Sequence, residues 1–282
     1  MKKLASRMFC AIALCSLIVP WLGQPTLAQQ KAQSKKGATK KAEPMTQAPA
    51  QQQWTSITIV HVKPDMVTDF EDFVKNEAIP MQKKSGLKWR STFQTAFFGE
   101  SYEYVIATPI ESFGQYDGGQ SPAMRVLGQE GARAYGAKQR KFVVSSHTYA
   151  TLDRPDLSFQ GTMTGPPKLG VVNIVQVTPG RAQEFESLIK NDVMPALKKA
   201  GVPGYFVSQT VFGGNINEYV SVTLYDSMAD IGKGSPLVRV WGQEGFNKFV
   251  QKTVGVIVHQ ERLVTRYNPD LSFMPAPTPE KK

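Results

Sequence analysis

Set against itself at an offset of 115 residues, the chain repeats. Phe70 falls on Phe185, Lys75-Asn76 on Lys190-Asn191, Pro80 on Pro195, Lys83-Lys84 on Lys198-Lys199 and Gly86 on Gly201. Gln94-Thr95 falls on Gln209-Thr210, Phe97 on Phe212, and Glu103-Tyr104-Val105 on Glu218-Tyr219-Val220. One residue is then lost in a Gly-rich loop, and an offset of 114 carries on. It pairs Ser121-Pro122 with Ser235-Pro236, Arg125-Val126 with Arg239-Val240, Gly128-Gln129-Glu130-Gly131 with Gly242-Gln243-Glu244-Gly245, and Pro155–Phe159 with Pro269–Phe273. One gap over this length reads as a tandem duplication, with repeats at 54–159 and 168–273 joined by a linker at 160–167. Such a chain has to solve one small folding problem twice.

Each copy gives the same pattern of elements. Ile57 to Val62 and Val171 to Val177 are short, β-branched and apolar, as buried strands are. The apolar spacing of Phe70, Phe73, Val74 and Met81, and of Phe185, Leu188, Ile189 and Leu197, predicts a helix next. Thr178-Pro179 offers that helix a cap, while Pro80 and Pro195 should kink or end it early. Two strands follow around Gly99 and around Gly213-Gly214-Asn215. Ser121-Pro122 and Ser235-Pro236 then open a second helix, with Met124, Leu127, Gly131 and Tyr135 on one expected buried face. A last strand completes β-α-β-β-α-β, an α+β unit whose helices cover one sheet face and leave the other for the second copy.

The ends of the chain read differently. Lys2, Lys3 and Arg7 precede an apolar run of twelve, Met8 to Val19, and Thr26-Leu27-Ala28 offers a small-residue cleavage site. Twelve falls short of the roughly 20 apolar residues of a spanning helix, so 1–28 is expected to be a removable signal peptide. The mature protein is then expected outside the cytoplasm, periplasmic or extracellular, without a transmembrane segment. Both cysteines, Cys10 and Cys15, lie in that signal, which leaves no thiol for a disulfide or metal site. Residues 29–53 are a Lys/Gln/Ala-rich stretch without an aromatic residue, expected to be a disordered linker, and 274–282 a disordered tail. The formal net charge is +10, but the signal holds +3 of it, the linker +4 and the last three residues +1, so the repeats carry only about +2. No nucleic-acid partner is expected from so neutral a folded part. The lysines are a solvated spacer or a contact with an anionic envelope surface.

On element order, length, the proline-containing first helix ending in Lys-Lys-x-Gly, and the Gly-Gln-Glu-Gly of the second helix, both repeats resemble the dimeric α+β barrel (ferredoxin-like) superfamily. That superfamily includes NIPSNAP-type proteins, antibiotic-biosynthesis monooxygenases and haem-degrading monooxygenases. The resemblance implies two ferredoxin-like repeats whose sheets form a fused dimeric α+β barrel, with ligand pockets between sheet and helices. Intramolecular pairing of the repeats, or further pairing into a homo-oligomer, would follow. Haem-degrading members use an asparagine on the first strand, an aromatic residue after the third and a histidine on the second helix. Asn173 fits the first place, though its counterpart is Thr58, and Tyr225 lies near the second, opposite Ile110. Neither second helix contains histidine, and His61, His147 and His259 each occur in one copy only, so no cofactor and no metal is expected.

Polar residues kept in both copies are the remaining candidates. Arg125 with Gln129, and Arg239 with Gln243, stand one turn apart and could together bind a carboxylate or carbonyl, or be surface pairs. Glu130 and Glu244 lie between small glycines and could serve as bases in an apolar pocket, or as helix salt-bridge partners. Gln94 and Gln209, with Glu103 and Glu218, could line a ligand site inside the barrel or pair across strands. No G-x-S-x-G elbow, Walker loop, H-E-x-x-H or cysteine nucleophile is present, so no reaction is identified. The leading expectation is an exported barrel that binds a small, partly apolar ligand. The alternatives are a cofactor-independent monooxygenase or isomerase, and a structural or interaction protein of the cell envelope.

Overall fold

The computed structural model describes residues 52–161 and 167–274. The signal segment, nearly all of the 29–53 linker, most of the 160–167 linker and the tail beyond Met274 lie outside the described residues. The first half runs β1 (Trp54–Val62), α1 (Val67–Phe73), α2 (Ile79–Lys84), β2 (Ser91–Thr95), β3 (Glu103–Ile110), α3 (Pro122–Phe142), β4 (Val143–Asp153) and the short β5 (Phe159–Gln160). The second runs β6 (Leu169–Val177), α4 (Ala182–Leu188), α5 (Met194–Lys199), β7 (Gly204–Phe212), β8 (Glu218–Tyr225), α6 (Met228–Gly232), α7 (Pro236–Thr253) and β9 (Ile257–Tyr267). Among the described residues no helix is long and apolar enough to cross a membrane.

Both halves pair their strands in the same way, and every pairing is antiparallel. The order is β4-β1-β3-β2-β9-β6-β8-β7, and a β4–β7 pairing closes it into an eight-stranded barrel, with β5 added beside β7. The seams are short. Phe93, Gln94 and Thr95 face Tyr267, Arg266 and Thr265 at one, and Ala150 to Asp153 face Phe212 to Ser208 at the other. Threonines sit at both seams: Thr151, Thr210 and Thr265 are each at most 3% exposed. Closure leaves no long free edge beside these strands, which is how a barrel solves the edge problem.

The period of two along each strand sends alternate side chains to the helix side or the barrel interior. Val60, Val62 and Tyr104 pack with Phe70, Phe73, Val74 and Ile79 under the first-half helices. Val175, Val177, Tyr205, Val207 and Tyr219 do the same with Phe185, Ile189, Val193 and Leu197 in the second.

Three local expectations need correction. Pro80 and Pro195 do not end their helices. A π-helical turn precedes each of them, Val74–Ala78 and Ile189–Val193, and the chain then stays helical to Lys84 and Lys199. Proline lacks the N–H for an ordinary i→i−4 bond, and the wider turn next to it accommodates that loss within a continuous helix. Thr178-Pro179 is not a cap: α4 begins at Ala182, and Thr178 Oγ1 donates instead to the Gly255 carbonyl. Leu127 does not join a buried face but is 42% exposed, because α3 breaks beside it at Gly128.

The Pro-Asp-Leu-Ser-Phe segments that recur in sequence each dock across the molecule. Leu157, from the first half, is 1% exposed within the second-half core. Leu271, from the second half, is 1% exposed within the first-half core, and Phe159 and Phe273 pack partly buried beside their leucines. Burying a leucine contributes about 1.5–3 kcal/mol, so each core depends on a side chain that the other half supplies.

Candidate functional site

In the second half, sheet and helices do not close completely. Val171, Asn173 and Val175 of β6, Ser221, Thr223 and Tyr225 of β8, and Gln260, Arg262 and Val264 of β9 share the helix side of the sheet. Phe185 and Ile189 from the first helical stretch and Leu237, Phe249 and Val250 from α7 face them across a cavity of about 390 Å³. Its deep walls are apolar. Its polar groups gather where β6, β8 and β9 lie side by side.

Asn173 and Arg262 are register partners on β6 and β9. Arg262 Nε donates to Asn173 Oδ1 at 2.7 Å, and Gln260 Nε2 donates to the same oxygen at 3.4 Å. That oxygen is therefore occupied, and the amide N–H₂ of Asn173 remains a donor. Tyr225 is 8% exposed; burial raises its phenol, while Arg239 and Arg262 pull it the other way. Burial pushes Tyr205, deeper in the cavity, up to about 12. Both tyrosines thus stay neutral donors at ordinary pH. Arg262 is the only charged residue of the lining, which contains no carboxylate, lysine or histidine. This arrangement can hold an oxygen acceptor or anion against an apolar body.

The residues singled out in both repeats fall elsewhere. Arg125, Gln129, Glu130, Arg239, Gln243 and Glu244 are all exposed, so the expectation that the glutamates occupy an apolar pocket is not met. The cause lies in the glycines around them. Gly128 (φ 71, ψ 179) and Gly242 (φ 70, ψ 174) break α3 and α7 in a backbone region open essentially to glycine alone. The Gly-Gln-Glu-Gly motif is the site of this break, and its polar residues stand in solvent. Arg125 Nη1 donates to the Gln120 carbonyl, Gln243 Nε2 to Asn247, and Glu244 pairs with Lys248 at 2.7 Å.

Gln94 lies on the helix side, where its Nε2 donates to Glu71 at 2.7 Å beside the Tyr104 hydroxyl, which donates to the same oxygen. Gln209 Nε2 donates to the Ile216 carbonyl. Glu103 and Glu218 take the opposite face by strand alternation. Each accepts from a threonine on the neighbouring strand, Thr95 at 3.0 Å and Thr210 at 3.3 Å, rather than from a glutamine. None of these four lines the cavity.

Several polar positions were not singled out from sequence. Arg90, 3% exposed, occupies in the first half the register position that Tyr205 holds in the second. It donates to Thr92, Leu271 and Gln82, and burial lowers its guanidinium to about 10. Arg154 reaches from the first half to Glu186 on α4, which also accepts from Tyr219. Glu186 is held below the usual carboxylate range by this arginine. The three histidines belong to the barrel-interior face: His61 stands 3.3 Å from Glu103, His259 3.0 Å from Glu261, and His147 bonds the Gly213 carbonyl. Each was set aside as unmatched between repeats, yet the fold places them on one common surface. Among the described residues no group of three or more acidic, histidine or cysteine side chains could hold a metal ion.

Compared by sequence, the chain matches no known protein family and no curated protein. Solved structures do share its fold. A candidate monooxygenase from Lactobacillus acidophilus NCFM superposes with a TM-score of 0.52 at 10% identity, covering 79% of this chain and 97% of its own. A second candidate monooxygenase, from Fusobacterium nucleatum, gives 0.52 at 12% identity, covering 77% and 92%. A variant of chlorite dismutase from Candidatus Nitrospira defluvii gives 0.51 at 9%, covering 78% and 93%. Each match runs through both halves, since neither half alone reaches such coverage. The chain therefore has the ferredoxin-like α+β barrel fold of these proteins. As for the haem chemistry suggested by resemblance, the structure brings Asn173 and Tyr225 into one cavity, but no imidazole or thiolate lines it.

Proposed function

We propose that this protein is an exported, internally duplicated α+β barrel that binds a small, partly apolar molecule in the cavity of its second half. The cavity carries this reading: about 390 Å³, lined mostly by apolar side chains with a smaller number of polar groups among them, the usual make-up of a small-molecule site. The 115-residue self-similarity and the matching element order support the duplication, and the Met8–Val19 run after its basic residues supports export.

The test uses a neutral naphthyl probe, N-phenyl-1-naphthylamine, which fluoresces on entering apolar space. Binding to the purified protein is expected, and Leu188→Trp, which fills the cavity from α4, is expected to abolish it with the circular dichroism unchanged. Absence of binding, or equal binding by the filled variant, would overturn the reading.

A second reading is turnover at the same place by a cofactor-independent oxygenase or isomerase. The fold shared with the candidate monooxygenases favours it, as does a solved anthrone oxidase-like protein that superposes at a TM-score of 0.50 and 12% identity. Tyr225, buried between two arginines, is the proton-bearing group available to it. Oxygen uptake with an anthrone, reduced in Tyr225→Phe, is the expected sign. Probe binding without any uptake would leave binding alone.

A further inference from the structure

Building on the reading that the second-half cavity holds the ligand, we infer that this ligand is an organic anion: a ring-sized apolar body whose carboxylate or similar oxygen is taken by Arg262 and Asn173, with Tyr225 farther along the same wall. Three observations converge on these residues.

The first is the charge of the lining. Its sole ionic group is a guanidinium, and among the described residues no carboxylate lies within salt-bridge distance of Arg262. Arg262 is exposed at the cavity rim, and its side-chain hydrogen bond, Nε to Asn173 Oδ1, orients the group and leaves the terminal nitrogens as donors. An arginine held this way is matched to an oxygen pair that the protein itself does not provide.

The second is the Tyr225 hydroxyl. The residue is 92% buried, judged from its 8% exposure, and its hydroxyl makes no hydrogen bond within the described residues. No buried side-chain oxygen or nitrogen in the described residues is both sealed from solvent and unpartnered. The hydroxyl is therefore reached by solvent, on a residue that lines the cavity. It stands in the field of Arg239 and Arg262, both of which favour negative charge there.

The third is the contrast at the same register in the first half. Where β6 and β9 set Asn173 against Arg262, β1 and β4 set Thr58 against Thr148. Those two hydroxyls bond each other at 3.0 Å, and neither carries a charge. Where β8 carries Tyr225 at its end, β3 carries Ile110, 5% exposed. The same framework thus carries a neutral hydroxyl pair in the first half and a guanidinium with free terminal N–H groups in the second.

Two probes of one skeleton test this. N-phenyl-1-naphthylamine is neutral, and 1-anilinonaphthalene-8-sulfonate is the same body with an anionic group. A hydrogen-bonded charge contributes about 1.5–3 kcal/mol, which corresponds to roughly ten- to a hundredfold in affinity. The sulfonate is expected to bind at least about tenfold more tightly than the neutral probe. Arg262→Gln should remove that advantage and leave the neutral probe's affinity unchanged. Arg262→Lys should restore part of it, and added salt should weaken the sulfonate alone. Leu188→Trp should abolish both, placing both in the cavity. Equal affinities in the wild type, or equal losses of both probes in Arg262→Gln, would overturn the anion inference while the cavity reading stands. Failure of the neutral probe to bind would strike the cavity reading itself.

Discussion

The two halves of the barrel share an order of elements and a pattern of strand pairing, and they diverge where the sheet meets its helices. In the first half Arg90 stands in that space with hydrogen bonds to Gln82, Thr92 and Leu271. In the second half the corresponding residue is Tyr205, and a cavity opens beside it. The tie between halves is likewise uneven. Arg154 meets Glu186 as an ion pair, whereas Asn268, in the same place at the other crossing, reaches Gln94 at 3.4 Å. One half is braced by internal polar bonds, and the other keeps its donors for something else. A single framework thus separates holding the fold from presenting a site.

That contrast can be pressed experimentally. The largest effect should come from the crossed leucines: Leu271→Ala and Leu157→Ala are each expected to cost about 2–5 kcal/mol in chemical denaturation. Similar costs would mean that both crossings bear equally on the fold; a clear inequality would show that the half with the cavity is the looser. Next, Arg90→Met should lose about 2–3 kcal/mol through its broken charged hydrogen bonds, while Tyr205→Phe should lose under about 1. Comparable losses would break the distinction between a braced and an open half.

Arg154→Met should cost about 1–2 kcal/mol at neutral pH. Because the arginine holds Glu186 below its ordinary value, this contribution is complete at neutral pH and is lost as pH falls through the lowered value. The wild type and the variant should therefore converge once pH has fallen below the lowered value of Glu186 in a pH series of melting curves, and Asn268→Ala should show no such convergence. The smallest effect concerns Glu218. Burial raises its carboxyl, with Glu261 adding to this, and its register partner is Gln176 where Glu103 has His61. A raised carboxyl burdens the fold once ionised, so Glu218→Gln should gain a few tenths of a kcal/mol at pH 7 after solvent screening. The gain should vanish where the carboxyl is protonated.

Much of the fold was legible because the chain could be compared with itself. Two readings of each element fixed the β-α-β-β-α-β order, and Ser121 caps α3 as its Ser-Pro signature indicates, accepting from the Met124 N–H. The π-helical turns were not legible, since proline's local effect depends on whether the rest of the helix is held by packing. Nor were the crossed leucines, which join residues far apart in sequence that no periodicity links.

The site was less legible than the fold. Residues shared by the two halves are open to binding or structural use, and here Glu103 and Glu218 accept from threonines on neighbouring strands while the Gly-Gln-Glu-Gly motif marks a helix break. The cavity is built from positions where the halves differ: Asn173 against Thr58, Arg262 against Thr148, Tyr225 against Ile110. Asn173 and Tyr225 were visible from resemblance and were discounted because their counterparts did not match. In this barrel, agreement between the halves falls on the framework, and the cavity lies where they differ.

The crossing of Leu157 and Leu271 also bears on how the protein is made. Synthesis runs from the N-terminus, and domains ordinarily fold in the order in which they emerge. Here, when the second half emerges, Leu157 is already waiting to complete its core. The first half has no such provision: every other member of its buried cluster is made by residue 104, yet its core stays open until Leu271 has left the ribosome. The part synthesised first is therefore among the last to be sealed, and a chain arrested between 160 and 270 would carry an apolar socket with nothing to fill it.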